Sequence, residues 1–280
     1  MLLPQVHDVT PLAYFASLVA SDEGFPLLEA AVAIAQDDDP ALDVQGVLAE
    51  IDGLAQRLRA RLPADAAPLQ RLRLLNRYFF SELGFAGNVN DYHDRRNSLI
   101  PAVLATRRGI PISLAVLYQE IGMQAGLTVR GISFPGHFLA KVSLPRGEVI
   151  IDPFSGQSLA REELEERLAP FRRRLGDDDM PLGLFLVAAT PRDTLARMLR
   201  NLKEIHRAAA DWRRLERVLA RLVILLPEAW TERRDHALVL AELGARQEAA
   251  AALSVYLAQC PDADDAPTLA RHLAAWQAAS

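Results

Sequence analysis

The 280-residue chain has one cysteine, no long apolar run and no block of one charge sign. With Cys260 alone, it forms no intramolecular disulfide framework and no multi-cysteine zinc site. That usage fits a reducing, cytoplasmic setting. The most apolar stretches, such as 182–189, are too short to span a bilayer. The opening MLLPQVHDVTPLAYF carries no basic leader and no long apolar run, so no signal peptide is expected. Net charge is −5 with both signs interspersed, which gives no footprint for nucleic acid or an anionic membrane. Gly122, Gly126 and Gly131 are scattered and form no phosphate loop. His93, Asp94, His137 and Asp152 show no HxH or HExxH spacing. The expectation is therefore no cofactor, no metal, no nucleic acid and no membrane partner.

What is present is apolar and helical in pattern. Hydrophobic residues make up 50% of the chain, enough for a sizeable core. Thr10 and Pro11 read as the cap and first residue of a helix. Pro26 opens a second helix. Asp43 caps a third, in which Val44, Val47, Leu48, Ile51, Leu54 and Leu58 recur at helical spacing. Leu72, Leu75, Tyr78 and Phe79 line a fourth that ends near Gly84. From Pro191 onward the pattern is helical again. Pro227 and Pro261 stand 34 positions apart, with Ala237, Gly244, Ala249 and Leu253 between them. That spacing resembles a tetratricopeptide repeat, a unit that supports or binds.

Between these helical stretches the character changes. Gly87, Asn88, Asn90 and Asp91 mark a loop, and the polar run Tyr92, His93, Asp94, Arg95, Arg96, Asn97, Ser98 follows. Polar loops beside a rigid core commonly carry binding residues, which makes Tyr92, His93, Asp94, Arg95 and Asn97 cleft candidates. The bland reading is that Asn97 or Ser98 caps the short helix after it. Residues 111–125 form an apolar helix stopped at Gly126. Then 127–134, 138–143 and 148–151 alternate as strands, with Pro145-Arg146-Gly147 closing a hairpin. If Ser143 pairs with Glu148, His137 and Asp152 share a face of the sheet. A slip of one residue separates them. Ser113 at the helix start, His137 and Asp152 thus form a nucleophile–base–orienter pattern. Taken singly, each has a plainer role: first-turn residue, ordinary strand histidine, turn-starting aspartate.

The order GIPIS-helix, then FPGHF, then IDPFSG resembles the transglutaminase-like (papain-like) superfamily. It is most similar to the bacterial SirB-type family, whose core is followed by tetratricopeptide-like helices. The resemblance covers roughly residues 10–265 and is most specific over 92–156. It implies a Cys-His-Asp triad in active members, with His137 and Asp152 at the matching positions. The cysteine position falls at or next to Ser113. A thiol is ionised by a helix terminus and a nearby histidine, whereas a serine hydroxyl is far less acidic. Cys260 stands far downstream.

The expected fold is therefore α+β, a transglutaminase-like core of helices on a small antiparallel sheet over residues 1–180. An all-α tetratricopeptide-like region over 181–280 follows it. The expected function is a non-catalytic binding or regulatory module with an unidentified protein or peptide partner. The alternative is a serine-dependent hydrolase or acyltransferase using Ser113, His137 and Asp152.

Overall fold

The computed structural model describes residues 10–278. Compactness divides the chain into two units, Phe25–Met198 and the pair Met1–Gly24 with Leu199–Ser280. Each is taken here by itself.

The first unit is built around one buried helix. In chain order it holds α2 (Leu27–Ala33), α3 (Val44–Arg59), α4 (Pro68–Asn76), α5 (Ile100–Thr106) and α6 (Pro111–Gln124). Asp43 caps α3, its Oδ1 accepting the Gly46 N–H at 2.9 Å, as Asp does before a helix. Helix α4 runs on into a π-helical turn, Arg77–Glu82. Every residue of α6 from Pro111 to Tyr118 is buried. A helix apolar all round has no solvent face, so it becomes the interior. It packs against α2, α3, α4 and α5 on one side and the sheet on the other. The Tyr118 hydroxyl donates to Asn76 Oδ1 at 2.6 Å, and burial pushes the phenol far above its ordinary pKa.

The sheet follows α6. It comprises β3 (Thr128–Ile132), β4 (Leu139–Leu144), β5 (Gly147–Asp152) and β6 (Gln157–Leu159), antiparallel and in sequential order. Ser143 pairs with Glu148 and Leu144 with Gly147, the register that puts His137 and Asp152 on one face. Strand β6 and a second, two-stranded parallel pair were not anticipated. That pair is β1 (Ala86–Gly87) with β2 (Arg108–Gly109). Such short strands carry no periodic signal. Helix α7 (Arg161–Leu175) covers the sheet through Leu164 and Leu168, which join Ile132, Phe134, Leu139 and Ile150 in one cluster. Helix α8 (Leu182–Phe185) adds Leu182 to it.

The sequence reading put the boundary at residue 180, whereas the compact unit extends to Met198. The reason is that 186–197 return to the sheet. Lys141 Nζ donates to the Leu186 carbonyl at 2.9 Å, Ala188 bridges Ile132, and the Ala189 N–H donates to Gly131 at 2.9 Å. The boundary therefore falls within α9 (Pro191–Ala208).

The second unit joins α1 (Pro11–Leu18) to α10 (Trp212–Leu225), α11 (Trp230–Glu242), α12 (Arg246–Gln259) and α13 (Ala266–Ala278). Helix α1 belongs here because the fully buried Arg221 guanidinium lies 4.8 Å from the Phe15 ring centroid. Ala237, Ala249 and Leu253 are buried, and Gly244 turns the chain at φ +83 between α11 and α12. A charge network ties α9 to α11, and α11 to Asp265 just before α13. Lys203 Nζ lies 2.5 Å from Glu232 and 2.7 Å from Asp235, and Arg234 lies 2.8 Å from Asp265.

Lys203 and Glu232 are both nearly excluded from solvent. Without the ammonium, Glu232 keeps only the half-exposed Arg200 as cation. Lys203→Ala is expected to lower stability by about 3 kcal/mol, since a buried charge loses its partner. All three tryptophans, Trp212, Trp230 and Trp276, lie in this unit. Urea unfolding followed by tryptophan fluorescence therefore reads it selectively, and a loss below about 1 kcal/mol would refute the network's role.

Candidate functional site

The site rests on Asn97. Its loop begins after β1, where Asp94 Oδ1 accepts the Arg96 N–H at 2.9 Å and opens a 3₁₀ turn over Arg95–Ser98. The Arg96 guanidinium, hydrogen-bonded to Asp94, holds that carboxyl below its usual range. Arg95 is paired with Asp38. Asn97 is buried, and its Nδ2 donates to the Asp91 carbonyl at 2.7 Å and to Tyr92 at 3.2 Å. Its Oδ1 accepts from Asn88 Nδ2 at 3.1 Å. Neither Asn97 nor Ser98 caps the next helix: Leu99 occupies the cap of α5 and Asn97 folds the loop instead.

Ser113 is joined to the same residue. Its hydroxyl lies 2.6 Å from the Asn97 carbonyl and 3.0 Å from the Ile110 carbonyl, and it accepts the Ile110 N–H at 3.2 Å. The side chain is fully buried. A hydroxyl has one proton to give, and here both acceptors in reach are backbone carbonyls. Ser113 is the third residue of α6 and bonds back to the residue before the helix, as side chains at that position do. Gly109 permits the close approach, since a Cβ there would stand 2.7 Å from Ser113 Oγ.

His137 and Asp152 do meet. The turn before β4 is made by Gly136 at φ +68, and the His137 N–H donates to the Phe134 carbonyl at 3.0 Å. His137 Nε2 lies 2.8 Å from Asp152 Oδ1. Asp152 also accepts the Phe154 N–H at 3.0 Å, and Arg167 Nη1 approaches its other oxygen at 3.3 Å. Burial pushes the Asp152 carboxyl up. The hydrogen bond and charge of His137, with the Phe154 N–H and the Ser155 hydroxyl, outweigh it and hold the group at about 2. With Nε2 given to Asp152, the His137 Nδ1 has no hydrogen-bond partner among the described residues. The Phe154 ring stands edge-on to His137 at 6.3 Å, and Tyr92, 44% exposed, lies 5.9 Å from Phe154 and 5.4 Å from His93.

Chemically this is a part-exposed histidine on a buried aspartate, with no activated nucleophile attached. Among the described residues, Ser113 makes no hydrogen bond to His137. Cys260 follows α12 in the other unit. No three metal-ligating side chains cluster among the described residues. No helix among them is long and apolar enough to cross a membrane. Arg167, Phe154 and Ser155 complete the surroundings of Asp152 and were missed in the sequence. Phe154 and Ser155 stood in the quoted IDPFSG run, but Arg167 sits in a charged helix where nothing distinguishes it from its neighbours.

A transglutaminase-like superfamily model matches residues 45–200, and a tetratricopeptide repeat model matches residues 202–274. A UPF0162 protein of Xylella fastidiosa is 35% identical over 253 residues, covering 90% of each chain. A UPF0162 protein of Pseudomonas aeruginosa is 33% identical over 185 residues, 66% of each chain. Human F-box only protein 21 is 29% identical over 148 residues, 45% of this chain and 24% of that one. No solved structure matches.

Two outcomes follow from the geometry. Ser113→Ala removes the bonds to Ile110 and Asn97 and is expected to cost about 1–2 kcal/mol in urea unfolding. A neutral or stabilising result would contradict the hydroxyl's structural role. The depressed Asp152 pKa stabilises the fold above the unfolded carboxyl value of about 4, and that contribution is lost as pH falls towards about 2. Asp152→Asn should therefore flatten the urea midpoint against pH between those limits; an unchanged acid limb would refute the assignment.

Proposed function

The chain belongs to the transglutaminase-like superfamily, and on that premise we propose that it is a non-catalytic member, a cytoplasmic binding or regulatory protein. Its cleft retains the histidine and aspartate of the superfamily pattern but holds a peptide or small ligand without turning it over. The tetratricopeptide-like helices serve as support or dock a partner.

One observation carries this reading: the Ser113 hydroxyl, fully buried, is hydrogen-bonded to the Asn97 and Ile110 backbone. A nucleophilic serine needs its proton facing a base. Here the proton faces a carbonyl, and moving it would remove one of the two bonds that tie Asn97 to the start of α6, the other being the Ile110 N–H donating to the Asn97 carbonyl at 3.2 Å. The second reading, a serine hydrolase, draws on the unengaged Nδ1 of His137, which is where a base would act. It has no proton donor in place.

The expected outcome is that a fluorophosphonate probe leaves Ser113 unlabelled in the full-length protein, as read by mass spectrometry of the tryptic 109–130 peptide. Labelling at Ser113 that disappears in His137→Ala would establish the hydrolase instead.

A further inference from the structure

Arg197 is a half-buried cation with no counter-ion among the described residues. It lies on α9 within the first unit, and its Nη1 donates to Ser133 Oγ at 2.6 Å and to the Phe134 carbonyl at 3.2 Å. Its guanidinium stands 5.6 Å from the centroid of the Phe138 ring. Among the described residues no carboxylate pairs with it. Burial lowers its pKa, and Tyr92 stands one ring away from His137, its ring 5.9 Å from Phe154, which is itself 6.3 Å from the His137 ring. Holding a cation partly out of water without a carboxylate is costly, which is why such groups are usually paired.

Its position ties it to the cleft. The Phe134 carbonyl that accepts from Arg197 also accepts the His137 N–H at 3.0 Å. One turn thus carries the histidine and accepts the arginine's hydrogen bond. Nearby charge does not neutralise the guanidinium. Arg167 and Asp152 offset each other, and His137 Nε2 is already given to Asp152. Only Nη1 of the Arg197 fork is used, so Nε and Nη2 remain to donate. Two parallel N–H groups match a carboxylate's two oxygens. A single uncompensated positive charge suits a monoanion better than a phosphate dianion.

We infer that Arg197 is the anion-binding residue of the cleft, and that it takes a carboxylate presented beside the exposed Tyr92 ring. This rests on the reading that the cleft binds without catalysing. The carboxylate has two sources, a chain terminus or an acidic side chain, and the guanidinium recognises what they share.

The test is an NMR titration of the full-length protein, following the Arg197 Nε–H and the His137 ring. The probes are N-acetyl-phenylalanine, N-acetyl-phenylalaninamide, N-acetyl-glutamic acid α-amide and inorganic phosphate. At least one carboxylate probe should give a saturable shift, and the one that binds identifies the source. Arg197→Gln should weaken it about tenfold or more, since a hydrogen bond to a charged group is lost. Arg197→Lys keeps the charge but loses the fork; it should weaken binding while leaving the His137–Asp152 ring signal in place, which separates recognition from folding. Equal binding of the phenylalaninamide, tighter binding of phosphate, no shift with either carboxylate, or indifference to both variants would overturn the inference. Fluorophosphonate treatment of the same sample keeps the two claims apart. Labelling of Ser113 would sink the non-catalytic reading whatever the titration gives, and an unlabelled protein that ignores carboxylates would sink only this one.

Discussion

The hydrogen bond from Ser113 to the Asn97 carbonyl is the contact on which the site depends. Helix α6 is buried along its first turns, so the polar groups at its start have no water to satisfy them. The Ser113 hydroxyl supplies the Ile110 N–H with an acceptor, and the Asn97 carbonyl supplies the hydroxyl with one. Asn97 then spends its side chain on Asn88, Asp91 and Tyr92. One serine thereby fixes the start of the central helix and, through one asparagine, the loop that forms the cleft's edge. A serine committed in this way is part of the fold. Releasing it for chemistry would give up the hydroxyl's bonds at the helix start, at a cost of about 1–2 kcal/mol, while the Ile110 N–H keeps the Asn97 carbonyl at 3.2 Å and the Ile110 carbonyl keeps the Leu114 N–H at 3.1 Å.

The opposite edge is held on different terms. His137 and Asp152 come from the turn before β4 and the end of β5, so hairpin register alone decides whether they meet. Once they meet, the pair satisfies itself: Asp152 collects the His137 ring, the Phe154 N–H and Arg167. These contacts hold the pair together in the fold. Around it stand an unengaged histidine nitrogen, an exposed tyrosine and a guanidinium with no carboxylate partner among the described residues.

The helices and the hairpin were legible because their signals are local. Asp43 is a cap that three residues confirm, and Pro145-Arg146-Gly147 closes a hairpin whose register follows from the turn. The His137–Asp152 contact followed from that register. Ser113 was legible only as a fork between a capping role and a nucleophile, because both need the same residue at the same helix start. Only the third dimension shows that its proton points to Asn97, 16 positions earlier. Arg167 and Arg197 were illegible for a related reason: an arginine in an amphipathic helix reads as a solvated face, and its meaning comes from a carboxylate or carbonyl brought there by another segment. The boundary at Met198 was hidden likewise, since 186–197 pair with a strand laid down more than fifty residues before.

The central claim is that the residue at position 113 is committed to the fold and is not activated by His137. Measuring the alkylation rate of Ser113→Cys by iodoacetamide against pH tests it directly, with Cys260→Ser as background. The account predicts slow alkylation and a thiol titrating at or above the ordinary value of about 8.5, unaffected by His137→Ala. Fast alkylation from a thiol titrating well below that value, abolished by His137→Ala, would contradict it.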